Sequence, residues 1–180
     1  KIIENCLNFV FLDCRLAFTN FLKQQTTLED LTIQNFKPPT SLFNDRRIAS
    51  VPFRLKKLKL NAFKLDNANF LSFMENHLGT LQTVDIDSRG FTDAFLSFLE
   101  RCPNFRELTF CGNMTNARPL PRVEKLSANL DVARFNWHAC FPNLKELKIR
   151  SENYHSATFA NFESFKKLQK LEIYGSHFPN

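Results

Sequence analysis

Apolar residues recur along this chain in one six-position spacing, L-x-x-L-x-L. It is met at Leu28, Leu31, Ile33; at Leu55, Leu58, Leu60; at Leu81, Val84, Ile86; and at Phe105, Leu108, Phe110. It returns at Leu144, Leu147, Ile149 and at Leu168, Leu171, Ile173, with weaker copies at Leu7, Val10, Leu12 and Val123, Leu126, Ala128. The last two positions of each copy alternate as a strand with one buried face does. Successive copies start 21, 27, 26, 24, 18, 21 and 24 residues apart, mostly inside the span of about 20–29 residues typical of one strand-containing repeat unit.

The stretch FTDAFLSFLERCPNFRELTFCGN, 91–113, contains a whole unit. Phe95, Phe98 and Leu99 fall at i, i+3 and i+4 and share one helix face. Pro103 cannot continue that helix and disfavours the helical region for Cys102. The strand follows. Neither half buries its apolar face alone, so the unit needs a copy on each side. Positions outside the strand keep the same register. Seven residues before the first strand position stand Phe21, Ile48, Met74, Phe98 and Trp137. Three before stand Leu78, Cys102, Leu120, Phe141 and Phe165, and two before stand Pro103, Pro121 and Pro142.

The predicted order is strand 7–12, helix near 15–25, strand 28–33, and a long loop with one helical turn near 41–48. Strand 55–60, helix 67–78, strand 81–86, helix 92–101 and strand 105–110 follow. A Pro-rich loop, a poor strand near 123–128 and a turn at 133–139 lead to strand 144–149, helix 157–166 and strand 168–173. Strands joined through helices imply a parallel sheet.

These residues resemble a leucine-rich-repeat domain over essentially the whole chain. RCPNFRELTFCGN at 101–113 is similar in particular to the repeats of F-box leucine-rich-repeat proteins, and CFPNLKELKI at 140–149 is a second match. The resemblance implies an α/β solenoid of about eight repeats in a single domain over 1–180, with a parallel sheet on the concave face and helices on the convex face. The asparagine that normally follows the strand is matched only by Asn113; Phe36, Phe63, Arg89, Asp131, Glu152 and Ser176 stand there elsewhere. The corners are therefore expected to vary. The chain starts at Lys1 and ends just past a strand. Without polar caps on its outer repeats, it is expected to be a fragment of a longer protein.

Composition sharpens this picture. Phe accounts for 21 of 180 residues and Gly for only 4, so a bulky core is expected. The five cysteines, Cys6, Cys14, Cys102, Cys111 and Cys140, are scattered, with no metal-ligand spacing, and read as reduced, buried thiols. No signal peptide and no apolar run of membrane-spanning length is present. An intracellular protein, cytoplasmic or nuclear, is the expectation. Asn113-Met114-Thr115 is a formal glycosylation sequon of little specificity.

Candidate chemistry lies on the outward strand positions. In an in-register parallel sheet the third positions form the row Phe9, Asp30, Lys57, Thr83, Glu107, Lys125, Glu146, Lys170. The fifth form the row Phe11, Thr32, Lys59, Asp85, Thr109, Ser127, Lys148, Glu172. Opposite charges become neighbours, which excludes a uniformly basic groove on this face. Mutual neutralisation is one reading of these rows; a mixed-charge surface for another protein is the other. The binding residues proposed from position are Lys59, Asp85, Asp87, Glu107, Thr109, Lys148 and Arg150, centred on the third to sixth repeats. Asp87 faces Asn61 and Cys111 in this register, which would leave its charge for a partner.

The positive charge concentrates elsewhere. Residues 37–64 hold eight cations against Asp45 alone, a net +7 in a chain of net +6. Lys37, Arg46, Arg47 and Arg54 form a candidate basic patch for RNA or phosphate, although no stacking motif or glycine-rich phosphate loop accompanies it. Trp137 falls in the core register. His77, His138, His155 and His177 are isolated, and no catalytic set can be assembled from the candidates. A protein-binding module without catalysis, cofactor or metal is the expectation. The resemblance implies the substrate-recognition region of an F-box-type SCF ubiquitin ligase subunit, with the ligase adaptor docking outside this chain. The alternatives are a leucine-rich-repeat scaffold with no ubiquitin link, or an RNA- or phosphate-binding module using 37–64.

Overall fold

A computed structural model describes residues 2–3, 13–33, 43, 45–61, 68–90, 92–113, 118–129, 137–150 and 164–174. Its eight strands form one sheet in chain order, and every neighbouring pair is parallel. They are β1 (Ile2–Ile3), β2 (Asp30–Ile33), β3 (Lys57–Asn61), β4 (Thr83–Gly90), β5 (Glu107–Asn113), β6 (Lys125–Asn129), β7 (Glu146–Arg150) and β8 (Lys170–Tyr174). Seven of these have four residues or more, and β1 has two. The helices α1 (Asp13–Gln24), α2 (Ala68–Glu75), α3 (Asp93–Arg101) and α4 (Trp137–Cys140) lie in the connections, with a 3-10 turn at Arg46–Ala49.

The register follows the apolar spacing. Leu31, Leu58, Val84, Leu108, Leu126, Leu147 and Leu171 are paired in sequence across the sheet, and so are Ile33, Leu60, Ile86, Phe110, Ala128, Ile149 and Ile173. From β2 to β7 both rows are buried, in one core with Phe70, Phe73, Phe95, Leu96, Phe98 and Trp137 of the helices. The helical layer therefore covers one face of the sheet, while the alternate strand positions open to the other. Leu171 breaks the row at 43% exposure, because among the described residues no strand lies beyond β8. The weak copy at 123–128 forms a regular strand, bonded on both sides.

Each long strand begins two residues later than its apolar spacing. The first apolar position is turn-bonded, and buried except at the half-buried Leu168: Phe105 N–H donates to Cys102 O, Val123 to Leu120 O, Leu144 to Phe141 O and Leu168 to Phe165 O. The following carbonyl starts the ladder by accepting two N–H groups from the next unit. Glu29 O takes those of Lys56 and Lys57, Lys56 O those of Gln82 and Thr83, and Gln82 O those of Arg106 and Glu107. Arg106, Glu124 and Lys145 repeat the arrangement. The first strand also differs. The copy at Leu7, Val10 and Leu12 lies outside the described residues, and the strand bonded to β2 is Ile2–Ile3, with Ile3 opposite Ile33. A β-branched pair suits that place. Of the helix expected over 157–166, residues 157–163 lie outside the described set; Ser164 is a 3-10 residue and 166–167 form a turn.

The corner before each strand is held by the residue preceding the first apolar position. Thr80 Oγ1 donates to Leu55 O (2.8 Å), Asn104 Nδ2 to Gly79 O (2.7 Å), Arg122 Nη1 to Glu100 O (2.8 Å) and Asn143 Nδ2 to Pro121 O (2.8 Å). Asn104 and Asn143 are the asparagines of the C-P-N and F-P-N corners. They tie one unit to the one before it at a place distinct from the asparagine position after the strand.

Phenylalanine supplies much of the helical layer. Phe43 packs edge-on to Phe70, Phe70 lies beside Phe95, and Phe95 stacks on Phe98. Thr92 caps α3 by accepting the N–H of Phe95, and Asp93 and Arg101 suit the two ends of the helix dipole. Cys102 and Cys140 are buried, and burial pushes their thiols up to about 12 and about 11, which keeps them protonated and poorly nucleophilic.

His77 is a core residue. It is wholly buried, stacks on Phe53 and meets Phe73 edge-on. Its Nδ1 accepts the Leu55 N–H at 3.2 Å, so the ring proton sits on Nε2, which has no partner among the described residues. Burial, with the charge of Arg54 a lesser cause, holds its pKa down at about 3.

Two outcomes follow. Leu108→Ala removes a side chain with no exposed surface between two rungs, and should cost roughly 2–5 kcal/mol in denaturant unfolding. Thr109→Ala, facing the open side, should cost under about 0.5 kcal/mol; equal losses would refute the register. His77 is charged more readily in the unfolded chain, so stability is full above its unfolded pKa and falls as pH drops from about 6.5 towards about 3. The share due to His77 is about 2 kcal/mol between pH 7 and pH 5. His77→Phe should flatten that slope in a pH series of urea midpoints; an unchanged slope would contradict the buried neutral ring.

Candidate functional site

The open face is built by the third and fifth positions of successive strands, set side by side by the register. Lys57, Thr83, Glu107, Lys125, Glu146 and Lys170 form one row, and Lys59, Asp85, Thr109, Ser127, Lys148 and Glu172 the other. Lysine and glutamate at these places leave the apolar core undisturbed because strand side chains alternate.

The side chains pair largely as the sequence predicts. Lys59 Nζ lies 2.6 Å from Asp85, Lys125 Nζ 2.7 Å from Glu146, and Lys148 Nζ 3.4 Å from Glu172. Lys170 differs: it bonds Glu172, two residues along its own strand, at 2.7 Å rather than its row neighbour Glu146. Glu172 thus serves Lys170 and Lys148, and Lys170 first of all holds its carboxyl below the usual range. Glu146 in turn raises Lys125. Glu107 accepts from the Thr83 hydroxyl at 3.3 Å and has no ion-pair partner among the described residues.

A shallow depression of about 230 Å³ lies on this face. It is lined by Glu107, Thr109, Lys125, Ser127, Glu146, Lys148, Lys170 and Glu172, with Leu126 and Leu147 at its floor. It therefore spans β5 to β8, displaced from the third-to-sixth-repeat centre expected from position alone. Glu107, Thr109 and Lys148 belong to it. Lys59 and Asp85 lie outside it, occupied with each other. The register sets Asp87 opposite Asn61 and Cys111, but its side chain lies outside the described residues.

Arg150 and Lys148 flank Tyr174 on the last strand. Lys148 Nζ sits 4.8 Å and the Arg150 guanidinium 5.8 Å from the ring centre. Tyr174 is 47% exposed, and its hydroxyl donates to Glu172 at 3.2 Å. Tyr174 is thus an exposed aromatic with a bonded polar tip and two cations over its ring. Extending the outward rows by one position, Asn61, Asp87, Cys111, Asn129, Arg150, Tyr174, would have found it.

In the segment rich in positive charge, 37–64, several of the described cations have partners close at hand. Lys37 lies outside the described residues. Arg47 grips the Asp45 carboxylate with Nε and Nη2, at 3.0 and 2.7 Å, and that bond holds Asp45 down at about 2. Asp45 is at the same time the N-cap of the 3-10 turn. Arg54 Nη1 donates to the carbonyls of Val51 and Phe53. Lys56 pairs with Glu29 at 2.7 Å. Of the three patch residues that are described, Arg46 is the one exposed with no partner among the described residues.

Trp137 is fully buried and contributes to the core. Among the described residues no group of three His, Cys, Asp or Glu could hold a metal ion, and no helix is long and apolar enough to cross a membrane. No family model matches the chain, and no curated protein matches it at a significant level.

Exposed pairs of this kind contribute little to folding. A double-mutant cycle of Lys125→Ala and Glu146→Ala should give a small coupling that diminishes as salt is raised. A larger, salt-insensitive coupling would mean that this face is built for stability.

Proposed function

We propose that this chain is a leucine-rich-repeat solenoid whose open, concave sheet face binds another protein, without catalysis of its own. The observation that carries this reading is the depression across β5 to β8, where in-register strands present Glu107, Thr109, Lys125, Glu146 and Lys148 together. Such a surface offers either sign of charge at strand spacing, with Tyr174 at its rim. It suits a folded protein or peptide with complementary charges. The helix–corner–strand repeat, with its six-position spacing and the C-P-N corner asparagine bonded to the preceding unit, supports the repeat assignment.

The likeness of 101–113 and 140–149 to F-box repeats makes substrate recognition for an SCF-type ubiquitin ligase the specific form of the proposal. The adaptor would dock through a region outside this chain, and the protein would work inside the cell, in the cytoplasm or nucleus. A repeat scaffold with no ubiquitin link is the runner-up. Copurification of the ligase adaptor with the full-length protein separates the two.

The test is affinity capture from cell extract with wild type and a Glu107→Lys, Lys148→Glu double variant. The variant should lose the captured protein while its Tm stays near that of wild type, because both changes lie on the open face. If capture survives that variant but fails on neutralising Arg46 and Arg47, the open-face reading is wrong.

A further inference from the structure

A second depression, of about 340 Å³, lies at the corner where the chain enters the strands. Arg106, Arg122, Lys145 and Lys167 line it, with Glu124, Asn143 and Pro121. Four cations thus face one carboxylate. Lys145 bonds that carboxylate at 2.9 Å, and Lys145 foremost, with a smaller contribution from Arg106, holds Glu124 below the usual range. The remaining positive charge of the depression is uncompensated among the described residues.

Two features make this more than a solvated edge. The first concerns need. The corner requires a single donor before each strand, and Thr80, Asn104 and Asn143 provide one without charge. Arg122 fills the same place with a guanidinium, and Lys167 with an ammonium that bonds Asn143 Oδ1 at 2.6 Å. Folding does not require those charges. The second concerns orientation. Arg106 is fixed through Nη1 to the carbonyls of Pro103 and Phe105, and Arg122 through Nη1 to that of Glu100. In each the Nε–Nη2 edge remains, which is the edge that grips an oxyanion side-on. These bonds orient both guanidiniums at the depression.

We propose that this corner depression is a binding site for a small polyphosphate-type oxyanion, held between Arg106, Arg122 and Lys167 with Lys145 behind. Its volume suits a small molecule, and its charge exceeds what one phosphate monoester would neutralise. The site is separate from the open sheet face and does not depend on the function proposed for that face.

Calorimetric titration with tripolyphosphate tests it, beside inorganic phosphate and a short single-stranded oligonucleotide. The expected result is saturable one-to-one binding of tripolyphosphate, tighter than phosphate. Arg122→Gln with Lys167→Gln should weaken it by about tenfold or more, and a circular-dichroism melt shows that this variant is folded. Arg106→Gln gives an independent second variant. Arg46→Gln with Arg47→Gln should leave the affinity unchanged. No saturable binding, equal weakening by the remote pair, or tighter binding of the oligonucleotide at the same salt would each overturn the proposal.

Discussion

Every unit of this protein buries its apolar side chains only by lying against the next one. The backbone enforces that dependence. The carbonyl ahead of each strand accepts two amide protons from the following unit, from Glu29 through Lys56, Gln82, Arg106, Glu124 and Lys145 to Gln169 and Lys170. Once this register is set, Leu108 must lie between Val84 and Leu126, and Glu107 between Thr83 and Lys125. The core and the open face are therefore consequences of one ladder. A shift by one residue would exchange leucines for lysines and glutamates on the buried face.

That coupling also explains where charge can be placed. On the open face, opposite signs fall beside one another at strand spacing and largely neutralise. At the corner, a neutral donor suffices at Thr80, Asn104 and Asn143, whereas Arg122 makes the same bond with a guanidinium and Lys167 adds an ammonium beside Asn143. The two depressions differ accordingly: one is mixed in sign, the other mainly cationic. Phenylalanine fills the opposite layer, and His77 lies among those rings as a neutral acceptor for the Leu55 amide.

Much of this was legible in the residues. The six-position spacing located the seven longer strands and their register, and with it the pairs Lys59–Asp85, Lys125–Glu146 and Lys148–Glu172. Three things were not. Strand starts came two residues late, because a buried leucine reports packing and cannot tell a turn hydrogen bond from a ladder one. The spacing points to Leu7, Val10 and Leu12 for the rung beside β2, whereas Ile2 and Ile3 hold that place; two residues carry too little periodicity to find. The gathering of Arg106, Arg122, Lys145 and Lys167 joins units far apart in sequence through corner side chains, which no spacing along a strand records. Within 37–64, Arg47 bonds Asp45 and Arg54 bonds the carbonyls of Val51 and Phe53, partners that a count of charges along the sequence does not record.

Amide hydrogen exchange tests the ladder most directly. If the units stand only by stacking, the amides of Lys56, Gln82, Arg106, Glu124 and Lys145, which lie ahead of the strands, should exchange as slowly as the strand amides beside them. All should open in one cooperative step from β3 through β7. Fast exchange at those five positions, with protection confined to the helices or split into separate blocks, would contradict the account.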